Sequence, residues 1–237
     1  MISRLLRNIK FWYFLGLAGA ALLWFVHGEK GPYWFVEPLL YFTFFTGLWL
    51  DSRYHFRKRL APSRWKAAFA YFGIFLATAM VYEVSLFQVN ARSLGSHHPK
   101  AIPSLIIIFG SYLVFSLFNL FLIRRYHYTF KELYFAAGAA SLTEGVVFNG
   151  VLTAVLLSPM FFLAPLTFAY YMLVYGVIFC MPFVFIREEL LWSRVETTIS
   201  FRRKILYAFI ATWLGYIVWG TGWVKMVNIL TNGFEKF

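Results

Sequence analysis

The chain has 237 residues, of which 61% are hydrophobic, 22% aromatic and only 14% charged, whereas a water-soluble domain is nearer half apolar and about a quarter charged, so the surplus must be covered by lipid. Twenty-two Lys and Arg against 10 Asp and Glu give a net charge of +12, but these residues fall between apolar runs, so they report membrane topology and not a nucleic-acid surface. The single cysteine, Cys180, excludes a disulfide framework and a cysteine-based zinc site within one chain.

Crossing roughly 30 Å of hydrocarbon at about 1.5 Å per residue takes about 17 to 25 apolar residues. Runs of this kind predict an all-α bundle of seven transmembrane helices, at 11–26, 34–50, 67–87, 103–123, 133–157, 160–186 and 205–230. The first follows Arg4, Arg7 and Lys10 and continues through Leu22-Leu23-Trp24-Phe25-Val26 beyond the small residues Ala18-Gly19-Ala20. It therefore reads as an uncleaved span and not a signal peptide. Connections are short, so residues 1–237 form a single transmembrane helical domain. An echo between Phe14–Ala20 and Phe135–Ser141 raises the option of two parallel three-helix repeats around a linker helix.

Lys and Arg set the orientation. Seventeen of the 22 lie in the N-terminal preface, in the loops around 53–66 and 124–131, and in 187–204. The N-terminus is expected in the cytoplasm and the C-terminus on the opposite side of a plasma or inner membrane, with anionic headgroups as partners of the basic loops. Within 187–204, Leu190, Leu191, Val195 and Ile199 recur at helical spacing, so this segment either lies along the membrane surface or extends the flanking helices as a solvated loop. Trp12, Tyr13, Tyr33, Trp34 and Trp65 near span ends read as an interfacial belt.

Ionisable groups within spans are the functional candidates, because a carboxylate at mid-bilayer costs at least a few kcal/mol unless paired, protonated or hydrated. Glu144 lies near the midplane of the fifth span, after the low-bulk stretch Ala136–Ser141 that lets neighbours approach and suggests a central helix. Ser141, one turn away, is a hydrogen-bond partner for it. Glu83 and Lys225 share an outer layer as an ion pair, or each snorkels to the headgroups, and Glu37 beside Pro38 is interfacial. If the pair forms, an outer vestibule leads inward to Glu144. Asn119 and Asn149 are amides suited to interhelical hydrogen bonds. In the overlong sixth span, Pro165 and Pro182 bracket Tyr170, Tyr171, Tyr175 and Gly176, a break lining a cavity or an ordinary kink. The five histidines fit no metal-binding spacing, although the pair His97-His98 could hold a metal weakly or sense pH.

Glu188-Glu189-Leu190-Leu191-Trp192 looks like the Glu-Glu-x-x-x-Arg motif of CAAX-type intramembrane proteases, but position 193 is Ser and no Phe-x-x-x-His follows. The Pro-x-Glu-Glu motif of membrane lycopene cyclases lacks its proline here, and Lys225 is too far from mid-helix for a retinal Schiff base. The reading that remains is a carrier or channel-like transporter of a small solute, ion or proton, with no cofactor or metal. A membrane enzyme acting on a lipid or isoprenoid, or a receptor or non-catalytic subunit, are the alternatives, and self-association is compatible with each. The substrate-site residues are Glu144, Glu83, Ser141, Asn149, Lys225, Tyr171 and Tyr175.

Overall fold

In the computed structural model, residues 8–27, 36–55, 57, 63–93, 101–143, 151–159, 161–193, 197 and 199–226 are described. The described elements are helical: α1 (Ile9–His27), α2 (Val36–Tyr54), α3 (Arg64–Ser93), α4 (Ala101–Tyr126), α5 (Phe130–Thr143), α6 (Val151–Leu156), α7 (Ala164–Cys180), α8 (Pro182–Phe185) and α9 (Phe201–Val218), with 3-10 turns at Phe161–Leu163 and Glu188–Leu190 and a π-helical segment at Trp219–Val224. Helix is found in every stretch expected to cross. Among the described residues, however, length and hydropathy mark four segments as long and apolar enough to do so, namely Trp65–Glu83, Ile108–Tyr126, Phe161–Cys180 and Phe201–Gly222, with Ile9–Leu22 apolar but shorter. The chain thus has the make-up of a multi-pass helical membrane protein. Its outward faces agree, since Phe14, Phe42, Phe69, Phe121 and Ile217 are large apolar side chains left exposed, as a lipid-facing surface requires.

The central helix is α7 and not the fifth segment. It is apolar all round, 11 of its 17 residues are buried, and it touches α1, α2, α3, α5 and α6. Close approach is possible because glycines face it from one side and its own glycine receives a ring from the other. A Cβ at Gly16 would lie 2.7 Å from the Ala169 carbonyl oxygen, and one at Gly19 would lie 2.6 Å from that of Leu166, so α1 and α7 meet backbone to backbone. On the opposite flank Gly138 of α5 lies against Met172, and Gly176 accepts the edge of the Tyr134 ring. The echo between the stretches around Gly16 and Gly138 therefore has a packing cause: both approach the same helix.

The prolines do not kink the interior of a long span. Pro165 stands in the first turn of α7, where a missing N–H removes no helical hydrogen bond, and Pro182 begins α8, where its missing N–H denies the Ile178 carbonyl the bond that would continue α7. Between them Met181 keeps helical angles (φ −51°, ψ −41°) and donates to the Val177 carbonyl at 2.8 Å. Tyr13 also departs from the interfacial role expected of it: its ring packs edge-on against Phe45 at 5.0 Å and Tyr134 at 4.9 Å, inside the bundle.

Candidate functional site

Residues from three of the basic loops meet at one end of the bundle. Helix α5 starts there with a capping box: Glu132 accepts from the Thr129 backbone N–H at 2.9 Å and the Thr129 hydroxyl at 3.0 Å, while the Glu132 N–H donates back to Thr129 Oγ1 at 3.3 Å. Lys204, only 7% exposed, reaches in from α9 to Glu132 at 2.7 Å and to the His127 carbonyl at 3.1 Å. Glu188 accepts a second N-terminal N–H of α5, from Phe130, at 3.3 Å, so two carboxylates serve the positive end of the helix. Arg57 pairs with Asp51 at 2.6 Å and donates to the Phe183 carbonyl at 2.8 Å.

The segment 187–193, just beyond α8, contains a 3-10 turn tied to the bundle and is not a free loop. Trp192 donates its indole N–H to the Tyr128 carbonyl at 3.1 Å, stacks on His127 at 5.2 Å, and the Ser193 N–H bonds to the Arg124 carbonyl at 2.9 Å. These bonds fold it across the corner between α4 and α5. Burial alone would raise the Glu132 carboxyl, but hydrogen bonds from Lys204 and Thr129 together with the Lys204 charge outweigh it and hold that group below the ordinary carboxylate value. Asp51 is lowered in the same way by Arg57 against the effect of burial. Glu188 goes the other way, raised by burial that the Arg57 charge only partly offsets.

Toward the other end, roughly 20–27 Å away along the helices at about 1.5 Å per residue, lies a layer of carboxylates bound by phenols. Glu37 of α2 accepts from Tyr41 one turn along the same helix. Tyr170 of the central helix also hydrogen-bonds to Glu37 and is itself joined to Tyr82 of α3. The adjacent Glu83 accepts from Tyr112 of α4 at 2.6 Å. Four helices thus converge on two acids. Between this layer and the basic end, the hydroxyls of Tyr13, Tyr71 and Tyr134 are buried without a hydrogen-bond partner among the described residues. Tyr134 lies within electrostatic range of both Tyr41 above it and Cys180 below, and Cys180 within range of Glu188.

Of the residues singled out by sequence, Glu83 is engaged by Tyr112 while Lys225 is exposed at the end of the π-helical segment, and among the described residues no ion pair joins them. Ser141 is buried and donates to the Gly138 carbonyl of its own helix at 2.6 Å. Asn119 does likewise to Phe115 at 2.7 Å, which is an intrahelical bond and not one between helices. Tyr171 packs edge-on against Tyr170, and Tyr175 lies tilted against Phe179. Glu144, Asn149, His97 and His98 lie outside the described residues. Among the described residues no three His, Cys, Asp or Glu side chains gather as a metal site. Glu37 and Tyr170 stand out separately in the sequence and are not joined there, although Glu37-x-x-x-Tyr41 shows the i, i+4 spacing that links the acid to the first of its phenols. No protein-family model matches the chain, and neither a curated protein nor a solved structure matches it.

Proposed function

We propose that the protein is a proton-coupled carrier or channel-like transporter of the plasma or inner membrane, crossing it seven times with the N-terminus in the cytoplasm. The observation that carries this reading is Glu37, an acid set among helices and bound by phenols from its own and the central helix. Such a group takes up and releases a proton, or the charge of a small cation, with little rearrangement, because hydroxyls can donate to the carboxylate or turn away when it is protonated.

The route inward runs by Tyr41, Tyr134, Tyr13 and Tyr71 to Cys180, Glu188 and Arg57. A buried hydroxyl left unbonded costs about 1–3 kcal/mol, so three of them, each within electrostatic range of Cys180, favour water or a polar solute group within the bundle, and water completes the chain of donors. By its position in the sequence, three residues beyond Ser141, Glu144 is proposed as a further acid of this path, and Asn149 as a further polar group of it. The meeting of residues 57, 127–132, 188–193 and 204 at one end supports the assignment of that end to the cytoplasm.

An acid-catalysed enzyme fits less well. Such chemistry needs a protonated carboxyl on an aromatic-walled cavity, and the carboxyl lining the apolar groove between α1, α5, α7 and α9 is Glu132, which Lys204 and Thr129 keep ionised.

The test is proton flux into vesicles loaded with a pH-sensitive dye and driven by a potassium diffusion potential. Glu37→Gln is expected to slow flux at least about tenfold while leaving helix content and melting unchanged, since the amide keeps the acceptor that Tyr41 and Tyr170 use. Flux equal to that of empty vesicles in the unaltered protein, or undiminished flux in Glu37→Gln, overturns the reading.

A further inference from the structure

Between α1 and α9, over the face of α5 and beside α7, lies an apolar slot of about 430 Å³, within the roughly 300–1,000 Å³ range of ligand pockets. Its walls include Trp12, Phe135, Phe168 and Met172, its floor includes Ala139, and Lys131 and Glu132 stand at one end. Along α5 it extends from Lys131 to Leu142, about 16 Å at 1.5 Å per residue. That is close to half of the roughly 30 Å hydrocarbon layer, or one leaflet. The length matches one hydrocarbon chain entering from one side. A partner's transmembrane helix would need a groove running the full thickness.

The charged end defines what the chain is attached to. Lys131 is exposed at the mouth, and Lys10, Arg202 and Arg203, exposed near the starts of α1 and α9, flank the same end. Glu132 adds no net repulsion, because Lys204 neutralises it at 2.7 Å. We infer that this slot is a binding site for one acyl chain of an acidic phospholipid from the leaflet on the basic side, with Lys131 and its basic neighbours holding the headgroup. This site is independent of the proposed proton path.

Native mass spectrometry of the detergent-solubilised full chain, titrated with phosphatidylglycerol or phosphatidylcholine of identical chains, tests it. Phosphatidylglycerol should bind at least about tenfold more tightly. Ala139→Phe, which fills the floor, should cut its binding by about the same factor, and Lys131→Glu should abolish the preference for the acidic lipid. In case Ala139→Phe does not fold, phosphatidylglycerol brominated along its chain should quench Trp fluorescence in the unaltered protein and do so less in Trp12→Phe. Equal binding of the two lipids, unchanged binding in Ala139→Phe, or quenching indifferent to Trp12 overturns the proposal. So does a result in which Ala139→Phe leaves lipid binding intact and instead abolishes self-association, which would make the slot a contact between copies of the chain.

Discussion

Lys204 and Glu132, 72 residues apart in sequence, meet at 2.7 Å and tie the start of α9 to the first turn of α5. The lysine is almost wholly buried, also bonds to the His127 carbonyl at 3.1 Å and lies over the Tyr128 ring at 5.4 Å. Breaking a buried pair by removing one partner costs about 3–5 kcal/mol because the other charge is left uncompensated. Glu132 is partly exposed, so the lower end applies. Glu132→Gln retains a residue able to complete the capping box and thereby isolates the charge. It should destabilise the protein by about 3 kcal/mol, whereas the double variant with Lys204→Met should recover part of that loss. Thermal unfolding in detergent of the two single variants and the double variant measures the coupling, and purely additive effects would exclude it.

The carboxyls at this end respond to pH with opposite signs. Glu132 and Asp51 are lowered on folding, so their stabilisation is complete above the ordinary carboxylate range and is lost as pH falls through their depressed folded values. Glu188 is raised on folding, so the unfolded chain releases its proton first and stability drains away as pH rises from the ordinary carboxylate range through the raised folded value. Glu188→Gln should therefore keep or raise the melting temperature at pH 7, while Glu132→Gln lowers it. Below about pH 4 the difference between Glu132→Gln and the unaltered protein should shrink. Melting curves between pH 3 and pH 8 that shift in the same direction for both variants at neutral pH would contradict this assignment.

The all-helical, multi-pass character is legible in apolar run length, because lipid imposes that length on each helix separately. The basic character of the loops that Arg57, His127 and Lys204 come from is likewise a property of each loop alone. What could not be read was pairwise. α7 holds the centre, and not the low-bulk fifth segment, because Gly16 and Gly19 of α1 and Tyr134 of α5 both close on it, and small residues in one helix do not name their partner. The fold of 187–193 rests on side-chain and backbone bonds to Arg124, Tyr128 and Phe130, none of which carries a periodic signal. The place of Glu37 beside Pro38 at the start of α2 is legible in the sequence, but the phenol that reaches it from α7 comes from a residue 133 positions later.

The glycines that seat α1 and α5 on α7 should differ in tolerance. At Gly16 and Gly19 an added methyl would meet carbonyl oxygens of α7, at 2.7 and 2.6 Å, and backbone cannot step aside. At Gly138 it would meet the side chain of Met172, at 2.5 Å, which can change rotamer. Overpacking of this kind costs about 1–3 kcal/mol, so Gly19→Ala is expected near the top of that range and Gly138→Ala near the bottom. Equal losses of melting temperature in the two variants would show that α1 is free to move outward from α7.

Phenols at two levels of the bundle give the sharpest contrast between a structural and a transport role. The Tyr128 hydroxyl donates to the Lys204 carbonyl at 2.5 Å, so Tyr128→Phe loses a bond worth about 1 kcal/mol and leaves that carbonyl unsatisfied, with no reason for proton flux to change. Tyr134 and Tyr71 have buried hydroxyls with no partner among the described residues. Replacing them with Phe removes no hydrogen bond to protein, only one to water, so melting should stay level. If these hydroxyls carry protons between Glu37 and Glu188, Tyr134→Phe should at the same time slow flux several-fold. Stability and flux thus part in opposite directions, down and unchanged for Tyr128→Phe, unchanged and reduced for Tyr134→Phe. Vesicle flux and detergent melting on the two variants decide it, and an unaltered flux in Tyr134→Phe would take that phenol out of the path.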